Sequence, residues 1–371
     1  LWKNIAWLLL VAFAATHGFG AAFGKQKQYV AGTHPHSIAL ADFNHDGNLD
    51  IAVADENNEV SVLLGDGKGG FGHAVKYPVG QGTFLIDIAV GDFNEDGNPD
   101  IAVTVSDVGS SGASIGLLFG NGNGTFQPAK YVSSGNSPLA LAVADFNGDH
   151  HLDLWVGGNG NSSVLLGNGD GTFRKPVTYT VESASFGVAI ADFNGDGKLD
   201  AAVTSETENS VYIFLGKGDG TFQFSGQVSV AAQYPTAVVA ADFNGDGRVD
   251  LAIADSLSNA VTILPGNGNG TFGAPYLAYA GYSPDHLATA DINGDGKLDL
   301  VVSSFGPNGG PGGVYLLLGQ GDGTFSFPTY SPAGLNPTGV AIGLIDANES
   351  PDIAVSAYGG NTVSVLLNTT Q

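Results

Sequence analysis

The chain has no cysteine and no methionine among its 371 residues, and only 12 lysines and arginines against 36 aspartates and glutamates. Without thiols, neither disulfides nor thiolate metal sites are available. A formal net charge of −24 leaves no clustered positive charge for phosphate contacts, which excludes nucleic acid as a partner. There is no Gly-x-Ser-x-Gly elbow. Long apolar runs are confined to residues 1–22, where Lys3 precedes the run Ile5 to Ala15 and small residues follow through Ala22. That run is too short for a hydrocarbon core of ~30 Å and reads as a secretory signal peptide, with Ala12-x-Ala14 or Gly20-x-Ala22 as the cleavage motif. An uncleaved anchor is the alternative. The expectation is that residues 23–371 are secreted or on the cell surface, as a monomer, with no membrane insertion once the signal is removed.

What the chain has in quantity is glycine, 57 residues, and one recurring stretch. Asp192-Phe193-Asn194-Gly195-Asp196-Gly197-Lys198-Leu199-Asp200 recurs from Asp42, Asp92, Asp145, Asp242 and Asp291, and a degenerate copy ends at Asp352. The final aspartates, at 50, 100, 153, 200, 250, 299 and 352, mark a unit of about fifty residues, the sign of a repeat architecture. Positions 1, 3, 5 and 9 carry oxygen side chains, and a glycine at position 6 allows the left-handed bend of a loop wrapped on a hard cation. Position 12 is apolar (Val53, Val103, Val203) where an EF-hand loop needs Glu, so the loop is expected between strands. An ion-free Asx turn is the competing reading, but it asks for no Asp at position 9.

One unit shows the rest. Val188-Ala189-Ile190-Ala191 is a small apolar strand without alternation, expected to be buried on both faces. After the acidic loop, Ala201 opens a second strand, Glu206 to Asn209 is a polar turn, and Val211 to Leu215 is a β-branched and aromatic third strand. Gly216-Lys217-Gly218-Asp219-Gly220-Thr221-Phe222 then turns into a fourth strand near Gln223 to Val230. No helix follows this glycine-rich turn, so it lacks what a phosphate-cradling loop needs. Its phenylalanines (Phe71, Phe126, Phe173, Phe222, Phe272, Phe325) are expected to plug the space between neighbouring sheets.

Residues 23–371 hold seven such units, and the last stops at Val363 to Asn368 without its fourth strand. Phe23 to Gly32 matches the fourth-strand segment Phe71 to Gly80. The fold class is therefore all-β: a seven-bladed β-propeller of four-stranded antiparallel blades, closed by an N-terminal strand that completes the last blade.

The small apolar strand, Asp-Phe-Asn-Gly-Asp-Gly-x-Leu-Asp, and Leu-Leu-Gly-x-Gly-x-Gly-Thr-Phe together resemble the FG-GAP or VCBS repeat, related to integrin α-subunit propellers. The resemblance covers residues 23–371 and implies an extracellular propeller with about six Ca2+ ions, one in each intact loop. Transferred position by position, it implies as metal ligands Asp42, Asn44, Asp46 and Asp50; Asp92, Asn94, Asp96 and Asp100; Asp145, Asn147, Asp149 and Asp153; Asp192, Asn194, Asp196 and Asp200; Asp242, Asn244, Asp246 and Asp250; and Asp291, Asn293, Asp295 and Asp299. His150 replaces the glycine of the third loop, so a weaker site is expected there. The degenerate seventh loop, 344–352, with Leu344 at position 1, is expected to be empty.

The acidic loops and glycine turns should share one face, leaving the variable loops on the other. Candidates there are His34, His36, Phe84, Phe186, Tyr234, Tyr282 and His286, with the segments Ser106 to Ser114 and Ser304 to Gly313. Such aromatics suit stacking on sugar rings or gripping a partner's loop; padding the propeller mouth is the plain alternative. His34 and His36 lack a third ligand for a transition metal. Carboxylates outside the loops (Asp87, Asp107, Glu182, Glu206, Glu208, Asp285) are scattered and form no catalytic constellation. The expectation is a binding or adhesion module for a glycan or extracellular protein, with no catalytic or cofactor-binding residues besides the calcium loops. A polysaccharide lyase or hydrolase scaffold and a structural module of an envelope assembly are the alternatives.

Overall fold

The structure is a computed structural model that describes residues 21–80, 83–107, 114–135, 137–307 and 310–370. The expected signal segment lies, apart from Ala21 and Ala22, outside the described residues. Seven antiparallel sheets follow one another along the chain. Blade 1 is Pro35–Ala41, Asp50–Asp55, Glu59–Leu63 and Val75–Pro78, and the later blades repeat this order. Blade 3 differs: a single run, Asp153–Leu165, supplies both middle strands, pairing Pro138–Ala144 through its first half and Val177–Ala184 through its second. The link there, Gly157 to Gly160, is short enough for the ladder to run through it.

Ring closure occurs as the sequence predicts. Lys27–Val30 pairs antiparallel with Thr362–Leu366, in the register Lys27 to Val365 and Val30 to Thr362. The first strands of successive blades contact one another around the whole ring, Pro337–Gly343 meeting Pro35–Ala41 again. They form the innermost layer. This corrects one expectation: Val188–Ala191 is only half-buried, and the fully buried strand is the second, Asp200–Ser205. Both faces of the second strand are covered by neighbouring blades, whereas the first has the central channel beside it. Small residues suit the first strand because seven of them crowd around one axis.

The turn phenylalanines are inter-blade plugs. Phe126 of blade 2 packs edge-on against Phe43 and Tyr77 of blade 1, each at 5.2 Å. Phe222 sits likewise on Phe146 and Trp155, and Phe325 on Phe243. Burying such rings contributes about 1.5–3 kcal/mol each. Among the described residues, no helix is long and apolar enough to cross a membrane.

Candidate functional site

The acidic loops are organised by their own hydrogen bonds. In the fourth, Asp192 accepts the amides of Asn194, Gly195, Asp196 and Gly197 at 2.7–3.2 Å. Asn194 Oδ1 accepts from the Asp196 amide, and Asp196 Oδ1 from the Lys198 amide. Positions 1, 3 and 5 of this loop remain at least partly exposed. Position 6 is left-handed as expected, at φ +79° for Gly197 and +71° for His150.

Position 9 is placed differently. Asp200 is fully buried, one oxygen accepting the amide of Phe193 (2.9 Å) and the other that of Gly216 (2.8 Å) in the glycine turn. Asp50, Asp100, Asp153, Asp250 and Asp299 make the same pair of bonds. So does Asp352 in the degenerate copy, with Ile345 and Asn368. Position 9 thus staples the acidic loop to the glycine turn of its own blade in the first six units and to Asn368 in the seventh, where the rest of the loop is degenerate. Burial raises the carboxyls of Asp50, Asp100, Asp153 and Asp299 to about 6. Each position-9 oxygen keeps a further acceptor site besides its amide, so the oxygens of positions 1, 3, 5 and 9 together are the set that would meet a hard ion such as Ca2+. In the fourth to sixth loops a basic side chain competes for position 5: Lys198, Arg248 and Lys297 lie 3.6, 3.8 and 3.9 Å from Asp196, Asp246 and Asp295.

A second set of bonds links blade to blade. Gly124 donates to the Phe43 carbonyl of the preceding blade (2.8 Å), as Gly171 does to Phe93 and Gly270 to Phe193. With the Lys68–Asp346 bridge between the first and seventh blades, these links form a belt around the acidic face.

The opposite face opens into a cavity of about 620 Å³ to which all seven blades contribute. Of the expected residues, His36, Phe84, Phe186, Tyr234 and His286 line it. His34 instead stacks on Tyr358 at 4.4 Å, and Tyr282 lies outside the lining. Residues 108–113 and 308–309, within the two variable loops, lie outside the described residues. Asp87 is a blade-to-blade bridge, accepting from Ser37 Oγ (2.7 Å) and the Leu141 amide (2.8 Å).

Entry residues are set by side-chain amides of the preceding blade. His34, Tyr234 and Ser283, each just before a proline, have left-handed backbones. Their amides donate to Asn361, Asn209 and Asn259, each at 2.9 Å. Sequence reasoning missed Glu56 and Tyr358 as residues of this face, while Phe305 falls within the expected segment Ser304 to Gly313. A positional signal existed: Glu56, Glu206, Ser256, Phe305 and Tyr358 each stand six residues beyond the final Asp of their own acidic loop. The second strand carries them across the blade to the mouth.

The mouth is acidic and aromatic. Glu56 accepts from Tyr358 (2.9 Å) and lies 2.9 Å from His34 and 3.4 Å from His36. Thus the histidine pair has a carboxylate partner, although among the described residues no three His, Asp or Glu side chains are spaced to hold a metal ion. Glu206, by taking a hydrogen bond from Tyr234, pushes that phenol up to about 12. Asp285 lies 3.1 Å from the ring of His286. Among the described residues no lysine or arginine lines the cavity, and its basic side chains are His36 and His286.

These features define a repeat propeller with an acidic loop in each blade. Residues 42–103, 107–156, 145–203, 192–253 and 242–302 match the FG-GAP-like repeat. The chain belongs to that family. No curated protein matches it. Among solved structures it is similar to BBS1N in complex with ARL6DN, at 14% identity and TM-score 0.63, over 94% of this chain and 96% of that one. It is also similar to an Agrocybe aegerita lectin specific for non-reducing terminal N-acetylglucosamine, at 22% identity and TM-score 0.55, over 81% and 80% of the two chains.

Proposed function

We propose that the chain is a secreted or cell-surface, calcium-stabilised binding module whose glycan or protein ligand sits at the mouth opposite the acidic loops. The cavity carries this reading: about 620 Å³, in the range of small-ligand sites, with aromatic walls and a few convergent polar groups. Two similar propellers, one a lectin and one in complex with a protein, support a binding role on this scaffold. The Ca2+ ions would be held by positions 1, 3, 5 and 9 and would stiffen the face away from the ligand. The test is to probe arrays of glycans and extracellular proteins, in calcium, with the chain and with a Phe84→Ala/Tyr234→Ala variant. Binding that disappears in the variant at unchanged melting temperature supports the reading. Equal binding by both proteins places the ligand elsewhere.

A further inference from the structure

We infer that the flank of the propeller binds a neutral sugar chain, in a groove between blades 3 and 4 that shares no residue with the mouth. The repeat breaks there. On the third strand, the residue facing the fourth position of the second strand is small in four blades: Ser61 opposite Val53, Gly116 opposite Val103, Thr262 opposite Ile253 and Ser364 opposite Val355. In blades 4 and 6 it is a tyrosine, Tyr212 opposite Val203 and Tyr315 opposite Val302. Tyr212 packs with Trp155 and Val181 of the preceding blade, and beside it lies a cavity of about 660 Å³.

The cavity is walled by rings and rimmed by polar groups. Tyr212 and Phe214 are its buried floor, with Tyr179 of blade 3 and the half-exposed Phe224 at its sides. The four rings are in contact: Phe224 lies 5.5 Å from Tyr212 and 5.6 Å from Phe214, which lies 5.6 Å from Tyr179. The Phe222 amide donates to the Tyr179 hydroxyl at 3.0 Å, and Trp155 stacks on the Tyr179 ring at 5.6 Å. That wall is therefore set before any ligand arrives, which spares the cost of ordering it. Thr178, Thr180 and Gln227 add hydroxyl and amide groups that both donate and accept. Among the described residues the one charged group in the lining is Glu182, on a chain of net charge −24, so an anionic ligand is repelled. A neutral sugar presents C–H groups on the face of its ring and hydroxyls around the edge, the complement of this surface.

Blade 6 repeats the design. Tyr315 lies 5.3 Å from Tyr330 and 6.3 Å from Tyr279 of blade 5, and Tyr279 stacks on Phe327, which is 83% exposed. A second aromatic platform on the outer wall suits a polymer, whose units repeat.

The experiment is titration of the full chain, in calcium, with cellohexaose, laminarihexaose and mannohexaose, and with hexagalacturonate as the anionic counterpart. Calorimetry gives the affinity, and the emission of Trp155, behind Tyr179, reports on the groove. At least one neutral hexasaccharide is expected to bind and shift the emission, and hexagalacturonate to do neither. Phe224→Ala should weaken binding about tenfold and Gln227→Ala should weaken it too, each at unchanged melting temperature, while Phe84→Ala/Tyr234→Ala should leave it intact. Binding lost in that mouth variant and kept in Phe224→Ala would overturn the flank site and leave the mouth reading standing. No binding by any neutral hexasaccharide, or equal binding by hexagalacturonate, would overturn the neutral-sugar inference. A protein ligand lost only in Phe224→Ala would overturn it as well, by making the flank a protein site.

Discussion

The side-chain amide of Asn368 lies 2.7 Å from the backbone carbonyl of Ile292, in the acidic loop of the preceding blade. In blades 2 to 6 a glycine amide of the turn makes this link, as Gly124 does to Phe43. The seventh blade has no glycine turn, and Asn368 takes over both its tasks. Its backbone amide meets Asp352 Oδ1 at 2.7 Å and its side chain reaches Ile292. Phe23 then pairs with Asn368 as Phe126 pairs with Gly120. Asn368→Ala leaves a buried carbonyl without its partner, so a loss of about 1–3 kcal/mol is expected. Urea unfolding measures it, and an unchanged midpoint would show that the belt does not need this closure.

Positions 5 and 9 of one loop should separate in their effects. Asp200→Ala removes the acceptor for two backbone amides, and at 1.5–3 kcal/mol for each bond to a charged group it should destabilise by about 3 kcal/mol or more, even in chelator. Asp196→Ala, at an exposed position, should lower calcium affinity and change the chelated protein's melting little. Equal melting of the two variants in EGTA would contradict the stapling role of Asp200.

The basic residue at position 7 should weaken calcium binding in the later loops. Lys198, Arg248 and Lys297 lean on their position-5 carboxylates, whereas Asn48 and Asn98 occupy position 7 in the first two loops. Exposed ion pairs contribute about 0.2–1 kcal/mol, so Arg248→Asn should tighten its loop by no more than about fivefold at low salt. Calorimetry across ionic strengths is the check, and a weaker loop after the substitution would reverse the sign.

Stability should fall as pH rises from about 4 to about 7 through the buried carboxyls, Asp55 and Asp255 adding to the position-9 aspartates Asp50, Asp100, Asp153 and Asp299. Burial raises Asp55 and Asp255 to about 7 from an ordinary value near 3.8. Between those values the unfolded state has released its proton and the folded state still holds it, so folding is favoured at low pH and this contribution is lost on the way up. The double variant Asp55→Asn/Asp255→Asn should make this part of the profile shallower, most of all between about 6 and 7, above the position-9 aspartates. A slope identical to that of the parent, read from melts across this range, would show that the two groups titrate normally.

Much of the architecture was legible because it is local and repeated. Each acidic loop bonds within its own nine residues, as Asp192 does with four following amides. The matching of Phe23 to Gly32 with Phe71 to Gly80 was sufficient to find the closing strand. Less legible was the part of Asp200, whose second partner, Gly216, belongs to another turn. The half-buried first strand was hidden too, since an apolar run looks the same whether a sheet or a channel lies beyond it.

The sequence by itself thus determined the number of blades, their strand order, the closure and the candidate cation loops, because periodicity and short-range hydrogen bonding are written into neighbouring residues. Only the tertiary structure decided the mouth. Glu56 and Tyr358 are 302 positions apart and lie 2.9 Å from each other, and Glu206 and Asp285 join them from other blades. Residues from separate blades meet only once the ring is shut, so no pattern along the chain could pair them in advance.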